Sequence, residues 1–500
     1  MAAQGQASLK KQKGNHSMSA VFKEYADYDA LGLAELIASK AISPQEVLDA
    51  ALHRIEQLNP LVNAVSVSMS DIARAQLEKG LPEGIFRGVP ILLKDLEVSN
   101  YPGVPTQVGS RMLAHNQPQS ISHTVHALMA AGFTLAGKTR VPNFGISATT
   151  EPVFGGPVRN PWHTGYSAGG SSGGAAAAVA AGMVPIAQAT DAAGSLRLPA
   201  SHCHLFGLKV SRGRVSAAPA GEFAGGLGSA HVLSHTVRDS AAALDIACQP
   251  CPGDPYFAPP PSIPYLQAMQ QAPARLRIAI SLNCPPGANI DPDVVTTIQT
   301  AGKLCESLGH AVMEDTPCFD FAQATHDLVL IHGANLSSRV ETLLEALGRA
   351  PGPEDIEEAA LDWAAMGRKY TAADYADASR RLQTVGRSFG RFHQDYDILL
   401  TPVAAQPALP LGTLSMRKSF EEGYLSDLFA HMAFTSVTNA TGQPGMSVPM
   451  GFSSNGLPIG AQFTAAYGRE DLLLALAAQI EQARPWRQQH SQVWHLEQGI

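Results

Sequence analysis

Two segments close together in the chain decide its reading. They are Gly169-Gly170-Ser171-Ser172-Gly173-Gly174, which runs into Ala175-Ala176-Ala177-Ala178-Val179-Ala180-Ala181-Gly182, and Thr190-Asp191-Ala192-Ala193-Gly194-Ser195-Leu196-Arg197-Leu198-Pro199. A glycine-rich turn opening an Ala-rich helix has the form of a phosphate cradle. A P-loop, however, ends in Gly-Lys-Ser/Thr, and no lysine stands here. The small residues predict instead a close-packed helix. Just upstream, Gly165-Tyr166-Ser167-Ala168-Gly169 fits the G-x-S-x-G nucleophile elbow. That motif works only where a strand turns sharply into a helix. The preceding Arg159-Asn160-Pro161-Trp162-His163-Thr164 reads as a poor strand, which disfavours Ser167 as a nucleophile.

The flanking sequence alternates helix and strand. Ser43-Pro44-Gln45-Glu46 is a capping box with Pro at the first helical position. Val47, Leu48, Ala51, Leu52, Ile55 and Leu58 follow at helical spacing until Asn59-Pro60 stops the run. Gly88-Val89-Pro90-Ile91-Leu92-Leu93-Lys94 reads as a buried strand that delivers a lysine. A helix over 123–131 ends at Gly132, and a short strand covers 133–136. Residues 250–264 are Pro-rich and read as a surface crossover, residues 300–390 are mostly helical in pattern, and 396–402 is another buried strand. The alternation predicts an α/β fold, a sheet covered by helices.

Composition narrows the function classes. The formal charge is −8, from 35 basic and 43 acidic side chains, and no dense Lys/Arg face is present, so a nucleic-acid partner is not expected. The most apolar stretch, 174–189, is mostly Ala, interrupted by Gly182 and Pro185, and falls short of the roughly 20 apolar residues of a spanning helix. No membrane partner is expected. Residues 1–18 are polar, lack a secretory apolar core and read as a disordered tail, which leaves 19–490 as one domain. Six cysteines in 500 residues are no disulfide framework, which fits a reducing, cytoplasmic setting. Cys248-Gln249-Pro250-Cys251 has no second pair to complete a zinc site, and in His202-Cys203-His204 neighbouring residues point to opposite faces if extended, so the three do not easily share an ion. Neither metal nor cofactor is expected.

Lys94, the glycine-rich loop and Thr190-Asp191-Ala192-Ala193-Gly194-Ser195-Leu196-Arg197-Leu198-Pro199 together resemble the amidase-signature family, and 24 residues separate Ser171 from Ser195, the family's own spacing. Asn439-Ala440-Thr441-Gly442-Gln443-Pro444 and Gly456-Leu457-Pro458-Ile459-Gly460 extend the likeness, which runs from about residue 25 to 485. The resemblance implies a single large mixed sheet covered on both sides by helices, and a Ser-cisSer-Lys hydrolase acting on C–N bonds. It assigns Ser195 as nucleophile, Ser171 after a cis Gly170–Ser171 bond as relay, and Lys94 as base. The N–H groups of Ala192, Ala193, Gly194 and Ser195 would hold the oxyanion, and Asp191 and Arg197 would pair to brace the turn. Burial lowers a lysine pKa towards 7–8, where the amine can act as a base. Ser195 and Ser171 should lie within hydrogen-bond reach. Ser172 and Asp95 read as local hydrogen-bonders.

Where the common family pattern has Gly-Gly before the nucleophile, this chain has Ala193-Gly194, as in the branch similar to 6-aminohexanoate cyclic-dimer hydrolase. Thr149-Thr150-Glu151-Pro152 and Ala466-Tyr467-Gly468-Arg469-Glu470-Asp471-Leu472 point to the same branch. The substrates implied are small amides, cyclic, linear or aryl, and carbamates. A homodimer is compatible with this reading, and a glutamine-amidotransferase subunit, an esterase, a non-catalytic binding protein and an elbow hydrolase using Ser167 are the alternatives. Specificity is expected from segments around 315–345 and 405–440.

Overall fold

The computed structural model describes residues 22–222, 224–284 and 288–499; the expected tail over 1–18 lies outside them. The strands are β1 (Val65–Ser68), β2 (Pro90–Lys94), β3 (Thr134–Thr139), β4 (Arg159–Asn160), β5 (His163–Ser167), β6 (Ile186–Asp191), β7 (Phe206–Lys209), β8 (Ser229–Ser234), β9 (Arg277–Ile280), β10 (Ala311–Glu314), β11 (Ile398–Pro402), β12 (Gly445–Phe452) and β13 (Pro458–Ala465). Eleven of them form one sheet in the order β1-β3-β2-β6-β8-β7-β12-β13-β11-β9-β10, while β4 and β5 form a separate hairpin. The sheet is mixed. β3, β2 and β6 run parallel, as do β11, β9 and β10, and the strands between them pair antiparallel.

Both faces of the sheet are covered. Along β2, Leu92 packs into one apolar cluster with the helices Pro44–Val62 and Gly173–Ala180. Ile91 and Leu93 point the other way, into a cluster with the helices Ala30–Ala38, His123–Ala130 and Val237–Ala247. Successive side chains of a strand alternate faces, so a strand buried on both sides must be apolar throughout. That is why Pro90-Ile91-Leu92-Leu93 carries no alternation. The helix Gly173–Ala180 is buried along its whole length. A Cβ on Gly174 would lie 2.5 Å from the Arg140 carbonyl oxygen, so the close approach of backbone to backbone requires glycine there.

Two local expectations need correction. Pro60 does not stop its helix, which continues to Val62 and ends on Asn63 in the left-handed conformation. Proline costs a helix one N–H donor and crowds the preceding turn; here it sits in the last turn, and Asn63 N–H still donates to the Asn59 carbonyl at 2.7 Å. The segment before Ser167 is a strand after all, because Arg159 and Ser167 pair across the β4–β5 hairpin. The span 300–390 is mostly helical, as expected, and also holds β10, which extends the parallel edge beside β9.

Candidate active site

β2 and β6 are parallel neighbours in the sheet, and their carboxyl ends bring Lys94 beside Thr190 and Asp191. The crevice beyond the carboxyl ends of parallel strands is where open α/β sheets place their ligands. Lys94 is wholly buried, and three hydroxyls surround its Nζ: Ser171 Oγ at 2.9 Å, Ser172 Oγ at 2.7 Å and Thr190 Oγ1 at 2.8 Å. Burial holds the Lys94 pKa well below the usual lysine value, and the negative charge of Asp191 opposes the shift only in part. Thr190 went unread in the sequence, and Ser172 touches the lysine directly, which is more than the local role expected of it.

The Gly170–Ser171 peptide is cis, as the resemblance implied. A Cβ on Gly170 would lie 2.5 Å from the Thr149 carbonyl oxygen and 2.6 Å from that of Ser147, so only glycine fits. Ser172 N–H donates to the Ser195 carbonyl at 3.1 Å, which ties the glycine-rich loop to the turn after β6.

That turn is organised by one ion pair. Asp191 and Arg197 are both fully buried, and the guanidinium grips the carboxylate through Nε to Oδ2 and Nη2 to Oδ1, each at 2.9 Å. Arg197 also donates to Thr438 Oγ1, Gln462 Oε1 and Asn439 Oδ1, and Asn439 Nδ2 donates to Asp191 Oδ1 at 3.0 Å. The Asn439 motif therefore acts on the turn from a distant part of the chain. Burial raises the Asp191 pKa, but the charge and hydrogen bonds of Arg197, with the Lys209 charge and the Asn439 hydrogen bond, together lower it more, so the carboxyl stays well below the usual range. Asp191 Oδ1 accepts the Gly194 N–H at 2.7 Å, and Oδ2 accepts the N–H groups of Leu196 and Arg197 at 3.3 Å. Gly194 was expected among the oxyanion donors, but its N–H is turned back onto the carboxylate. Among the described residues, the N–H groups of Ala192, Ala193 and Ser195 have no acceptor.

Ser171, Ser195, Ala192 and Ala193 line a cavity whose non-atom space, open solvent included, is about 740 Å³. Its walls are mostly apolar: Phe144, Ile146 and Trp363 on one part, Leu428, Phe429 and Met432 on another. His332 and Arg339 come from the first segment expected to set specificity and the Leu428 group from the second; Phe144, Glu97 and Trp363 were not anticipated. Ser195 Oγ makes no hydrogen bond to a described residue, so the expected contact with Ser171 is not formed. Ser195 is partly exposed to the cavity, where its hydroxyl can re-aim by rotation about a single χ1 bond.

The remaining candidates fall elsewhere. Ser167 is buried at the end of β5, accepts the Gly169 N–H at 3.1 Å and does not line the cavity. The helix starts only at Gly173, so no elbow forms. Asp95 accepts the Gln107 N–H at 3.0 Å, the local role expected of it. All six cysteines are free, and His204 stacks on Phe452 with ring centroids 4.8 Å apart. Among the described residues no cluster of three or more His, Cys, Asp or Glu side chains could hold a metal ion, and no helix is long and apolar enough to cross a membrane.

Comparison with known proteins places this geometry in a family. The family model for amidases matches residues 46–474, and the chain belongs to the amidase family of amide-hydrolysing enzymes. It is 36% identical over 470 residues to the 6-aminohexanoate-cyclic-dimer hydrolase of Paenarthrobacter ureafaciens, covering 92% of this chain and 95% of that one. The structure of a 6-aminohexanoate cyclic dimer hydrolase complexed with substrate superposes with a TM-score of 0.87 at 34% identity, covering 94% of this chain and 99% of that one. A bacterial aryl acylamidase of the amidase-signature family gives a TM-score of 0.83 at 27% identity, over 95% and 99%.

Proposed function

We propose that the chain hydrolyses small uncharged amides through an acyl-enzyme on Ser195, with Lys94 as base and Ser171 as proton relay. The observation that carries the reading is the wholly buried Lys94 Nζ 2.9 Å from Ser171 Oγ. A serine hydroxyl near neutral pH is a weak nucleophile without a base, and burial supplies one by favouring the neutral amine. The hydrogen bonds fit that state. A neutral amine has two N–H donors and one lone pair, against three hydroxyls. Ser172 Oγ donates its own hydrogen to the Thr190 carbonyl at 3.1 Å, so it accepts from Lys94. One N–H and the lone pair remain for Ser171 and Thr190, and the lone pair can take the Ser171 proton. Ser195 then attacks the carbonyl as its proton passes to Ser171. The oxyanion settles on the free N–H groups of Ala192, Ala193 and Ser195. The relay reverses to protonate the departing nitrogen, and water releases the acyl group.

The apolar walls favour uncharged groups beside the scissile bond. With the similarity to a 6-aminohexanoate-cyclic-dimer hydrolase, the substrates are cyclic or linear amides of about that size, aryl amides or carbamates. Residues 19–490 act as one domain in this reading, in the reducing, cytoplasmic setting that six free cysteines fit.

The test is amine release by the purified protein, alone, from the cyclic dimer, from anilides and from carbamates, with hydroxylamine added to trap the acyl group. Hydroxamate formation that Ser195→Ala abolishes is the expected result. Cleavage of esters only would remove the amide assignment, activity only with partner subunits would favour the amidotransferase reading, and turnover without hydroxamate would remove the acyl-enzyme.

A further inference from the structure

We infer that the ion pair between Arg339 and Glu97 is a charged partition across the far end of the catalytic cavity, and that it sets the length of the substrate admitted. The inference deepens the proposed function and rests on it for the position of the scissile bond. A second, more open pocket adjoins the cavity, and Glu97, Phe144, Ile146, Ala224, His332 and Arg339 line both. The two spaces thus meet at a wall built from these side chains. Arg339 Nη2 donates to Glu97 Oε1, and the guanidinium lies over the Phe144 ring, 5.1 Å from its centroid. Side-chain exposures of 32% for Arg339 and 37% for Glu97 put the pair at the boundary with solvent, where it can open without stranding a charge in an apolar interior.

The wall is built on a regular element. His332, Leu336 and Arg339 follow one another at helical spacing along the helix Phe321–Leu347, and all three line the outer pocket. One face of that helix forms the passage, and Arg339 reaches from it across to Glu97, which follows β2 shortly after Lys94. Because the two charges cancel, an uncharged substrate that ends at the wall leaves the pair intact. A longer one must break it or displace the guanidinium from Phe144. Removing either charge therefore joins the inner and outer spaces and favours extended substrates.

Binding is measured by calorimetry in the Ser195→Ala background, so that the result does not depend on turnover. The ligands are acetanilide and decananilide, against the parent, Arg339→Met and Glu97→Gln. Methionine keeps an aliphatic stem over Phe144, and Glu97→Gln is an independent, isosteric route to the same loss. At least one variant is expected to raise the decananilide-to-acetanilide affinity ratio about five-fold or more, the scale set by a few methylenes gaining an apolar channel. A smaller change in both variants overturns the partition. So does tighter binding by the parent of an anilide with a distal carboxylate than of its methyl ester, which would make Arg339 an anion receptor. Absence of amide turnover in the wild-type protein, with these binding ratios as expected, would remove the proposed function and leave the partition standing.

Discussion

Gly194 N–H donates to Asp191 Oδ1 at 2.7 Å, which makes the carboxylate the internal template of the turn that carries Ser195. The same carboxylate is held by Arg197, so the turn's shape and the buried charge balance are one arrangement. Asp191→Asn should strip Arg197 of its counter-charge while it is fully buried, a loss of about 3–5 kcal/mol for a broken buried pair. Urea unfolding at pH 7 measures it. The Asp191 pKa is depressed in the folded state, so its stabilisation is present above the unfolded carboxyl pKa of about 3.9 and is lost as pH falls through the folded value. Asp191→Asn should lack that acid-side loss. Stability within about 1 kcal/mol of wild type would contradict the bracing role.

The base is open to a second measurement. Burial lowers the Lys94 pKa, and in the proposed mechanism the active form is the neutral amine. The kcat/KM should therefore rise with pH through that depressed value and hold into the alkaline range. Lys94→Met should lose about a thousand-fold or more in rate. Its stability should move the opposite way. The unfolded chain binds a proton up to a pKa of about 10.4 that the folded chain releases earlier, so wild-type stability rises with pH between the two values. Lys94→Met should not show that rise and should be at least as stable at pH 7, as denaturant midpoints would report. A bell that falls before pH 9 would count against a neutral lysine base.

The Ala193-Gly194 pair separates what the turn requires from what it tolerates. Gly194 has φ +134°, and a Cβ there would lie 2.3 Å from Thr435 Oγ1. Gly194→Ala should abolish activity or folding. Ala193 is not among the residues of positive φ, and its methyl lines the cavity. Ala193→Gly should therefore keep kcat within about ten-fold and act chiefly on KM, the pattern of a lost wall contact. Steady-state kinetics on one good amide decides it.

The elements that build the site were readable because each has a strong local cause. Pro90-Ile91-Leu92-Leu93-Lys94 is a buried parallel strand, and apolar continuity is its signature. Gly170 and Gly174 report backbone approaches that forbid a Cβ. The roles of Lys94, Ser171 and Ser195 came from resemblance to a family, since no periodicity says which hydroxyl meets which amine. What stayed hidden depends on long-range packing. Thr438, Asn439 and Gln462 reach Arg197 from more than 200 positions away. Glu97 and Arg339 meet across 242 positions, and a surface-type charge at each gives no sign of it. The Gly194 N–H was misassigned for a local reason: an Asp three residues before it can accept that donor, an Asx-type turn.

Thr190 supplies the sharpest test of how the lysine is tuned. Its hydroxyl lies 2.8 Å from Lys94 Nζ, and among the described residues the other hydroxyls on that nitrogen are Ser171 and Ser172. An ammonium has three N–H donors and is best served by three acceptors, whereas the neutral amine needs two acceptors and one donor. Thr190→Val removes one acceptor at nearly constant volume. It therefore weakens the charged form more than the neutral one, and the Lys94 pKa should fall further. The acid limb of the kcat/KM profile should move to lower pH, while the plateau drops no more than about ten-fold because Ser171 still meets the amine. Ser172→Ala should be harsher on the plateau, since Ser172 Oγ also accepts the Thr190 N–H at 3.3 Å and donates to the Thr190 carbonyl, which fixes the end of β6. An acid limb that moves to higher pH in Thr190→Val would mean that the hydroxyl favours the neutral amine, and that Thr190, not Ser171, faces the lone pair.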